Sequence, residues 1–298
     1  MKQYRQDING VLLLNKPLGL SSNATLQKVK HLYHAKKAGH TGTLDPLATG
    51  LLPICFGEAT KFSSFLLDGN KEYIATIQLG ISTTTYDAEG EITEQSNVNT
   101  SKEDICNVVN SFLGKITQTP PIFSALKVNG KPLYEYARNG IDVEVKSREI
   151  EILELEILEY LNDKQFKLRI LCSKGTYIRS LAHDIGKLLG CGAHLRGLVR
   201  TKTNEFSLDK RINLEFLNNM PDEEKIALLL PVDILVSGIP ILEINAHEFD
   251  KIKFGNPFIR SSLNNIPEST VRLYYEAKFL GIANIMRDKV QPSRLVNL

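Results

Sequence analysis

Apolar runs and polar breaks along this chain predict a mixed succession of strands and helices. Residues 10–14 form a short apolar run ending at Asn15-Lys16-Pro17, a strand that leaves a lysine at its end. Ser21, Ser22 and Asn23 then offer caps for a helix that gathers Leu26, Val29 and Leu32 on one face. Residues 51–56 are apolar, residues 59–67 read as a helix stopped by Asp68-Gly69-Asn70, and residues 73–79 alternate with Tyr73, Ala75, Ile77 and Leu79 on one face. An acidic turn over 83–94 precedes a helix over 102–113, with Ile105, Val108, Val109 and Phe112 facing inward. Strands follow at 150–158 and 166–172. A helix then carries Ile178, Leu181, Ile185 and Leu188 and is closed by Gly190 and Gly192.

Two stretches fit neither period. Residues 39–50, GHTGTLDPLATG, make a Gly-rich polar loop with one acid, Asp45, held in extended geometry by the following Pro46. Residues 117–148 are broken by Pro120, Pro121, Gly130, Pro132 and Gly140, and interleave Tyr134 and Tyr136 with Lys127, Lys131 and Arg138. Aromatic and basic groups on one excursion suit unpaired nucleic acid, held by stacking and phosphate contacts together. Residues 229–237 read as the end of a large domain. Short strands at 241–244, 271–275 and 279–286 then predict a small β-rich barrel.

Composition narrows the chemistry. The 298 residues, 42% hydrophobic, suffice for a sizeable core, and no stretch approaches the ~20 apolar residues of a membrane span. A cytoplasmic location is expected. Cys55, Cys106, Cys172 and Cys191 form no C-x-x-C pair and read as reduced and structural, and the six histidines lack metal-ligand spacing. The net charge of +2 is unevenly spread. Residues 28–44 hold four lysines, three histidines and no acid, residues 174–202 set Arg179, Lys187, Arg196 and Arg200 against Asp184 alone, and residues 87–104 carry six acids. Arg179 falls in the first turn of its helix, where the dipole opposes a cation by ~0.3–1 kcal/mol. A nearby anion would hold it.

Separate pieces of the chain resemble the TruB-type tRNA pseudouridine-55 synthases: NKP at 15–17, GHTGTLDPLATG at 39–50, KEY at 71–73, FSALK at 123–127, SKGTYIRSLAHDIG at 173–186 and CGAHL at 191–195. FLGIANI and KVQPSRLV near the C-terminus resemble the PUA RNA-binding module. The resemblance implies an α+β fold with a mixed, mainly antiparallel central sheet flanked by helices, the pseudouridine synthase fold, over residues 1–237. A thumb-like insertion at about 117–148 and a small β-rich PUA-like domain at 238–298 complete it.

It also implies isomerisation of uridine-55 in the T-arm loop of tRNA, with no cofactor, metal or protein partner, by a monomer. Asp45 is then the nucleophile, attacking either the uracil ring or the sugar C1′. Tyr73 stacks on the extruded base and assists proton removal from carbon 5, Arg179 pairs with Asp45, Lys16 supports the pocket and Leu198 packs on the other side of the base. His40 suits the place a flipped base vacates. Lys127, Tyr177 and Arg200 are expected RNA contacts, with Arg200 joining Lys28, Lys30, Lys36 and Lys37 on phosphates. An adjacent guanidinium is expected to lower the Asp45 pKa by ~1–3 units. The family more often has tyrosine at the position of Phe123 and an acid near Thr84. Two other readings fit the same motifs: a tRNA-binding or RNA-folding protein without isomerase activity, and a guide-RNA-dependent synthase.

Overall fold

The computed structural model describes residues 5–264 and 267–297. Its larger sheet contains β1 (Gly10–Lys16), β2 (Ala48–Phe56), β3 (Lys71–Leu79), β4 (Gly114–Gln118), β5 (Arg148–Asn162), β6 (Gln165–Cys172) and β7 (Ala193–Thr203). Across the sheet they run Ile212–Asn213, β1, β2, β7, β3, β6, β5, β4. Most neighbours are antiparallel. β7 is parallel to β2, and Ile212–Asn213 is parallel to β1.

Helix α1 (Ser22–Leu32) starts at Ser21, whose side chain accepts the Ala24 N–H, and packs Leu26 and Val29 against Leu12, Leu14, Leu52 and Ile54. The opposite faces of β1 and β2 bury Val11, Leu13, Leu51 and Cys55 against Phe62, Leu66, Leu235 and Val236. Burial on both faces explains why these strands read as continuous apolar runs. Helices α2 (Lys102–Asn110) and α3 (Ile178–Leu188) cover β3, β6 and β5 on one side, with Leu181 and Ile185 set among Ala75, Ile77, Leu168 and Ile170. The other side of that half is solvated. There Arg169 spans Glu156, Glu154 and Glu72, while Lys202 and Thr201 also bond Glu72.

A second sheet of five strands has the order β8 (Ile241–Glu243), β10 (Ser269–Tyr275), β11 (Lys278–Met286), β12 (Lys289–Leu295), β9 (Phe258–Ile259), with its own apolar cluster around Ile252, Phe258, Leu273 and Val290. It leans on the larger sheet through Ile282 and through Phe279, whose ring centroid lies 5.4 Å from that of Phe62. Among the described residues no helix is long and apolar enough to cross a membrane.

The main difference from the sequence expectation is β7, which reads as no strand. Its register shifts at Leu195/Gly197 and Arg200/Lys202 break the alternation, and the second of them accompanies an inward-facing arginine. The helix expected over 59–67 is split into a 3₁₀ turn, Gly57–Lys61, and a single helical turn, Ser64–Leu67. α2 stops at Asn110, short of Leu113, and begins with a capping box between Ser101 and Asp104. The 117–148 excursion contains a hairpin, Lys127–Val128 with Lys131–Pro132, and a helix, Leu133–Arg138. Cys55, Cys172 and Cys191 are buried, but Cys106 is exposed on α2 and has no packing role.

Candidate active site

The loop bearing Asp45 is pinned at several points. Its Leu44 N–H donates to Ser22 Oγ at 2.7 Å, and the same hydroxyl donates back to the Leu44 carbonyl at 3.0 Å, tying the loop to the start of α1. The Pro46 carbonyl accepts from Gly19 N–H at 2.9 Å, and Thr41 N–H donates to Pro53 O at 3.1 Å. Gly50 closes the loop with φ 104°, paired with Arg200 across β2 and β7. A Cβ there would lie 2.3 Å from the Arg200 carbonyl oxygen, so only glycine lets the strands approach this closely.

Asp45 opens into a cavity of about 400 Å³ that is also lined by Tyr73, Arg179, Leu198, Arg200, Tyr177 and Arg148. Arg179 reaches it from the first turn of α3, its Nε 3.0 Å from Asp45 Oδ2. The rest of the guanidinium is held as well: Nη2 donates to Phe123 O at 2.9 Å, and Nη1 donates to Thr85 O at 3.2 Å and faces Asp87 Oδ2 at 3.4 Å. Asp87 is 2% exposed. The cation disfavoured by the helix dipole is thus held by two carboxylates and two carbonyls.

Electrostatics here run against the sequence expectation. The Asp45 pKa is pushed up, not down: burial is the largest influence, Arg179 and Lys16 oppose it, and Asp87 adds to it. The side chain keeps 37% exposure through the cavity mouth, yet the protein packed around it outweighs the guanidinium. Burial also raises the Tyr73 hydroxyl, partly offset by Arg200, so the ring enters the cavity as a neutral phenol at neutral pH. Lys16 is 0% exposed, donates to Pro17 O at 2.9 Å and Leu20 O at 2.5 Å, and is held down to about 8 by burial, with Asp45 opposing the drop.

Asp45, Tyr73, Arg179, Leu198, Arg200 and Tyr177 therefore share one cavity, and Lys16 lies within its electrostatic reach. Arg200 is corrected in role. At 1% exposure, donating to Leu51 O at 2.7 Å and Gly42 O at 3.3 Å and lying within electrostatic reach of the Tyr73 hydroxyl, it braces the loop from beneath and offers nothing to phosphates at the surface. His40 lies in the short strand Ala38–His40, half-buried and outside the cavity lining, its Nδ1 buried without a partner. Lys127 is exposed on the hairpin, also outside the lining. Asp87 is the residue that sequence reasoning missed. The signal was the conflict of Arg179 with its helix dipole, which calls for an anion, and the acidic turn over 83–94 supplies several candidates. Near the two positions that depart from the family pattern, Arg179 takes the backbone carbonyl of Phe123, and Asp87 stands three residues beyond Thr84.

Residues 30–178 match the family model described as TruB family pseudouridylate synthase (N terminal domain), residues 179–237 that of the tRNA pseudouridylate synthase B C-terminal domain, and residues 240–296 that of pseudouridine synthase II TruB, C-terminal. A protein named tRNA pseudouridine synthase B from Mannheimia succiniciproducens is 48% identical over 299 residues, covering 98% of this chain and 97% of its own. One of the same name from Francisella tularensis subsp. novicida is 49% identical over 294 residues, covering 97% and 95%. Among solved structures, a chain of an H/ACA RNP bound to a substrate RNA containing 2'-deoxyuridine superposes with a TM-score of 0.71 at 22% identity, covering 96% of this chain and 84% of that one. A Cbf5-Nop10-Gar1 complex gives 0.70 at 24% identity, covering 96% and 84%, and both bear on the fold alone. With family models and near-full-length relatives in agreement, the chain belongs to the TruB family of pseudouridylate synthases.

Proposed function

We propose that this chain isomerises uridine-55 in the T-arm loop of tRNA to pseudouridine, with Asp45 as the nucleophile. The observation that carries the reading is the Asp45–Arg179 pair at 3.0 Å, opening into a cavity that Tyr73 and Leu198 also line. A carboxylate recessed in such a cavity reaches a base only after that base has left its stack, which makes flipping part of the reaction. Tyr73 and Leu198 supply apolar surface for the two faces of the extruded uracil. The ionised Asp45 attacks the uracil ring or C1′ of the ribose, the N1–C1′ bond breaks, and the base turns so that carbon 5 bonds to C1′. The carbon 5 proton leaves as N1 gains one, so the product is an isomer of the substrate and the carboxylate is regenerated.

Arg179 has two tasks in this scheme. It opposes the effect of burial on Asp45 and so keeps the nucleophile ionised, and it fixes the direction from which the carboxylate approaches. Tyr73, a neutral phenol at the outset, contributes a stacking face and a hydroxyl within electrostatic reach of Arg200. Lys127, Lys131 and Arg138 are exposed on the thumb-like segment, and Lys28, Lys36 and Lys37 are exposed near α1, which suits them to the RNA backbone. The division into a catalytic unit over 1–237 and a PUA-like RNA-binding unit over 238–298 is supported by the separate sheet and cluster of the second part. The enzyme works in the cytoplasm as a monomer, on tRNA, without a protein partner.

The test is tritium release from carbon-5-labelled uridine in a T-arm stem-loop. The parent protein turns over repeatedly on this RNA alone, while Asp45→Asn binds it nearly as well and releases no tritium. Turnover retained in Asp45→Asn would sink the reading.

A further inference from the structure

Three consecutive residues of one turn touch α3 together. Thr85 and Asp87 hold the Arg179 guanidinium, and between them the Tyr86 ring lies flat on the imidazole of His183, centroids 3.9 Å apart and planes 14° apart. His183 stands four positions after Arg179, so the two side chains lie one above the other on a single helix face. Tyr86 adopts this position at φ 62°, a left-handed backbone that a bulky residue disfavours. The turn is otherwise bonded to itself and to β7. Thr85 Oγ1 donates to Asp87 Oδ1 at 2.5 Å, Glu89 N–H to the same oxygen at 3.0 Å, Leu195 N–H to Tyr86 O at 2.9 Å and Ala88 N–H to Leu195 O at 3.0 Å. A Cβ on Gly90 would come within 2.4 Å of Thr85 Oγ1, so the turn is drawn tight.

We propose that Tyr86 and His183 are positioning residues: their stacked pair clasps the Thr85–Asp87 turn to α3 and fixes the guanidinium of Arg179 with its Nε toward Asp45. The proposal rests on Asp45 as the reactive carboxylate. Arg179 stands between two acids, and Asp87 competes with Asp45 for it. With the clasp closed, Nη1 serves Thr85 and Asp87 while Nε is left for Asp45. With it open, the turn and its buried acid move relative to α3, and the guanidinium follows Asp87. Burial favours the neutral imidazole that such a stack needs, with Asp184 opposing and Lys187 reinforcing. At Asp45 itself the facing charges are Arg179, Asp87, Lys16 and, from the same turn as Asp87, Glu89, so weakening Arg179 leaves burial and Asp87 to raise its pKa further.

The experiment is the single-turnover rate on the T-arm stem-loop as a function of pH, with stem-loop affinity and Tm measured on the same variants. Tyr86→Gly removes the ring and suits the left-handed backbone, so the turn itself is preserved. His183→Ala removes the other ring, and His183→Phe restores one. Tyr86→Gly and His183→Ala are expected to slow the reaction about tenfold at the acid end and to move the acid limb about one unit upward, the equivalent of that factor. Affinity and Tm change little, and His183→Phe returns both rate and limb toward the parent. An acid limb that stays in place in Tyr86→Gly and His183→Ala overturns the proposal, and so does a folded His183→Phe that fails to recover. A parent without turnover, or an active Asp45→Asn, would instead overturn the assignment of Asp45.

Discussion

Replacing Arg179 with glutamine removes the cation from the site and keeps an amide able to hydrogen-bond. At the observed 3.0 Å, two unit charges interact by about 5.5 kcal/mol at an effective dielectric of ~20. Asp45 is 37% exposed, so solvent screens part of this, and an effect of about 1–2 pKa units is the reasonable expectation. The direction follows from the site. Burial already holds the Asp45 pKa above its ordinary value and Arg179 pulls it down, so the variant carries a still higher pKa. Only the ionised carboxylate attacks, so activity is lost as pH falls through that value, and the loss begins at higher pH than in the parent. At the acid end the rate should fall by about 10–100-fold, with recovery as the pH is raised, because one unit corresponds to a factor of ten. Single-turnover tritium release from a labelled stem-loop between pH 5 and 9 measures this directly. Arg179→Lys, which restores charge without the planar fork, should bring the limb part of the way back. If Arg179→Gln scales the rate down at every pH and leaves the acid limb unmoved, the guanidinium does not govern the ionisation of Asp45 and the reasoning fails.

Two further outcomes follow from the same geometry. Gly50→Ala places a Cβ 2.3 Å from the Arg200 carbonyl at φ 104° and should cost about 3 kcal/mol, lowering Tm by roughly 6–12 °C in a calorimetric scan. Stem-loop affinity should weaken with salt, with a log–log slope of about −3 if Lys28, Lys30, Lys36 and Lys37 meet phosphates, because each contact releases roughly 0.7–0.9 of a counterion. Lys36 is the weakest contributor, since Asp7 already holds it at 2.5 Å. Filter binding of Lys28→Gln and Lys37→Gln should show the slope shallower by about one each.

The parts of the site that the sequence revealed are those with strong local rules. Glycines and Pro46 marked the Asp45 loop, strict alternation put Tyr73 on an inward face, and helical spacing placed Arg179 in a first turn whose dipole demanded an anion. What stayed hidden depends on contacts between distant segments. Strand β7 lost its alternation to two bulges, so Arg200 read as one more surface cation although it is enclosed by Gly42, Leu51 and Tyr73. Asp87 sat within an acidic run and only the fold reveals that it turns inward. The expected lowering of the Asp45 pKa failed for a related reason, because an ion pair can be guessed from two residues but the desolvation opposing it depends on everything packed around them.

The place of β7 in the sheet has a consequence for how the molecule comes into being. Strands β2 and β3 are near neighbours in sequence, but β7 lies between them and is made only after α3. On a chain growing from its N-terminus, one side of each waits with open backbone donors and acceptors from Leu79 until Ala193 has been added. The reactive centre is therefore assembled late. Asp45 and Tyr73 are brought into register only when Leu198 and Arg200 arrive between their strands. A nascent chain stopped before that point holds two unsatisfied edges, which are ready templates for wrong pairing, and has no nucleophile in working order.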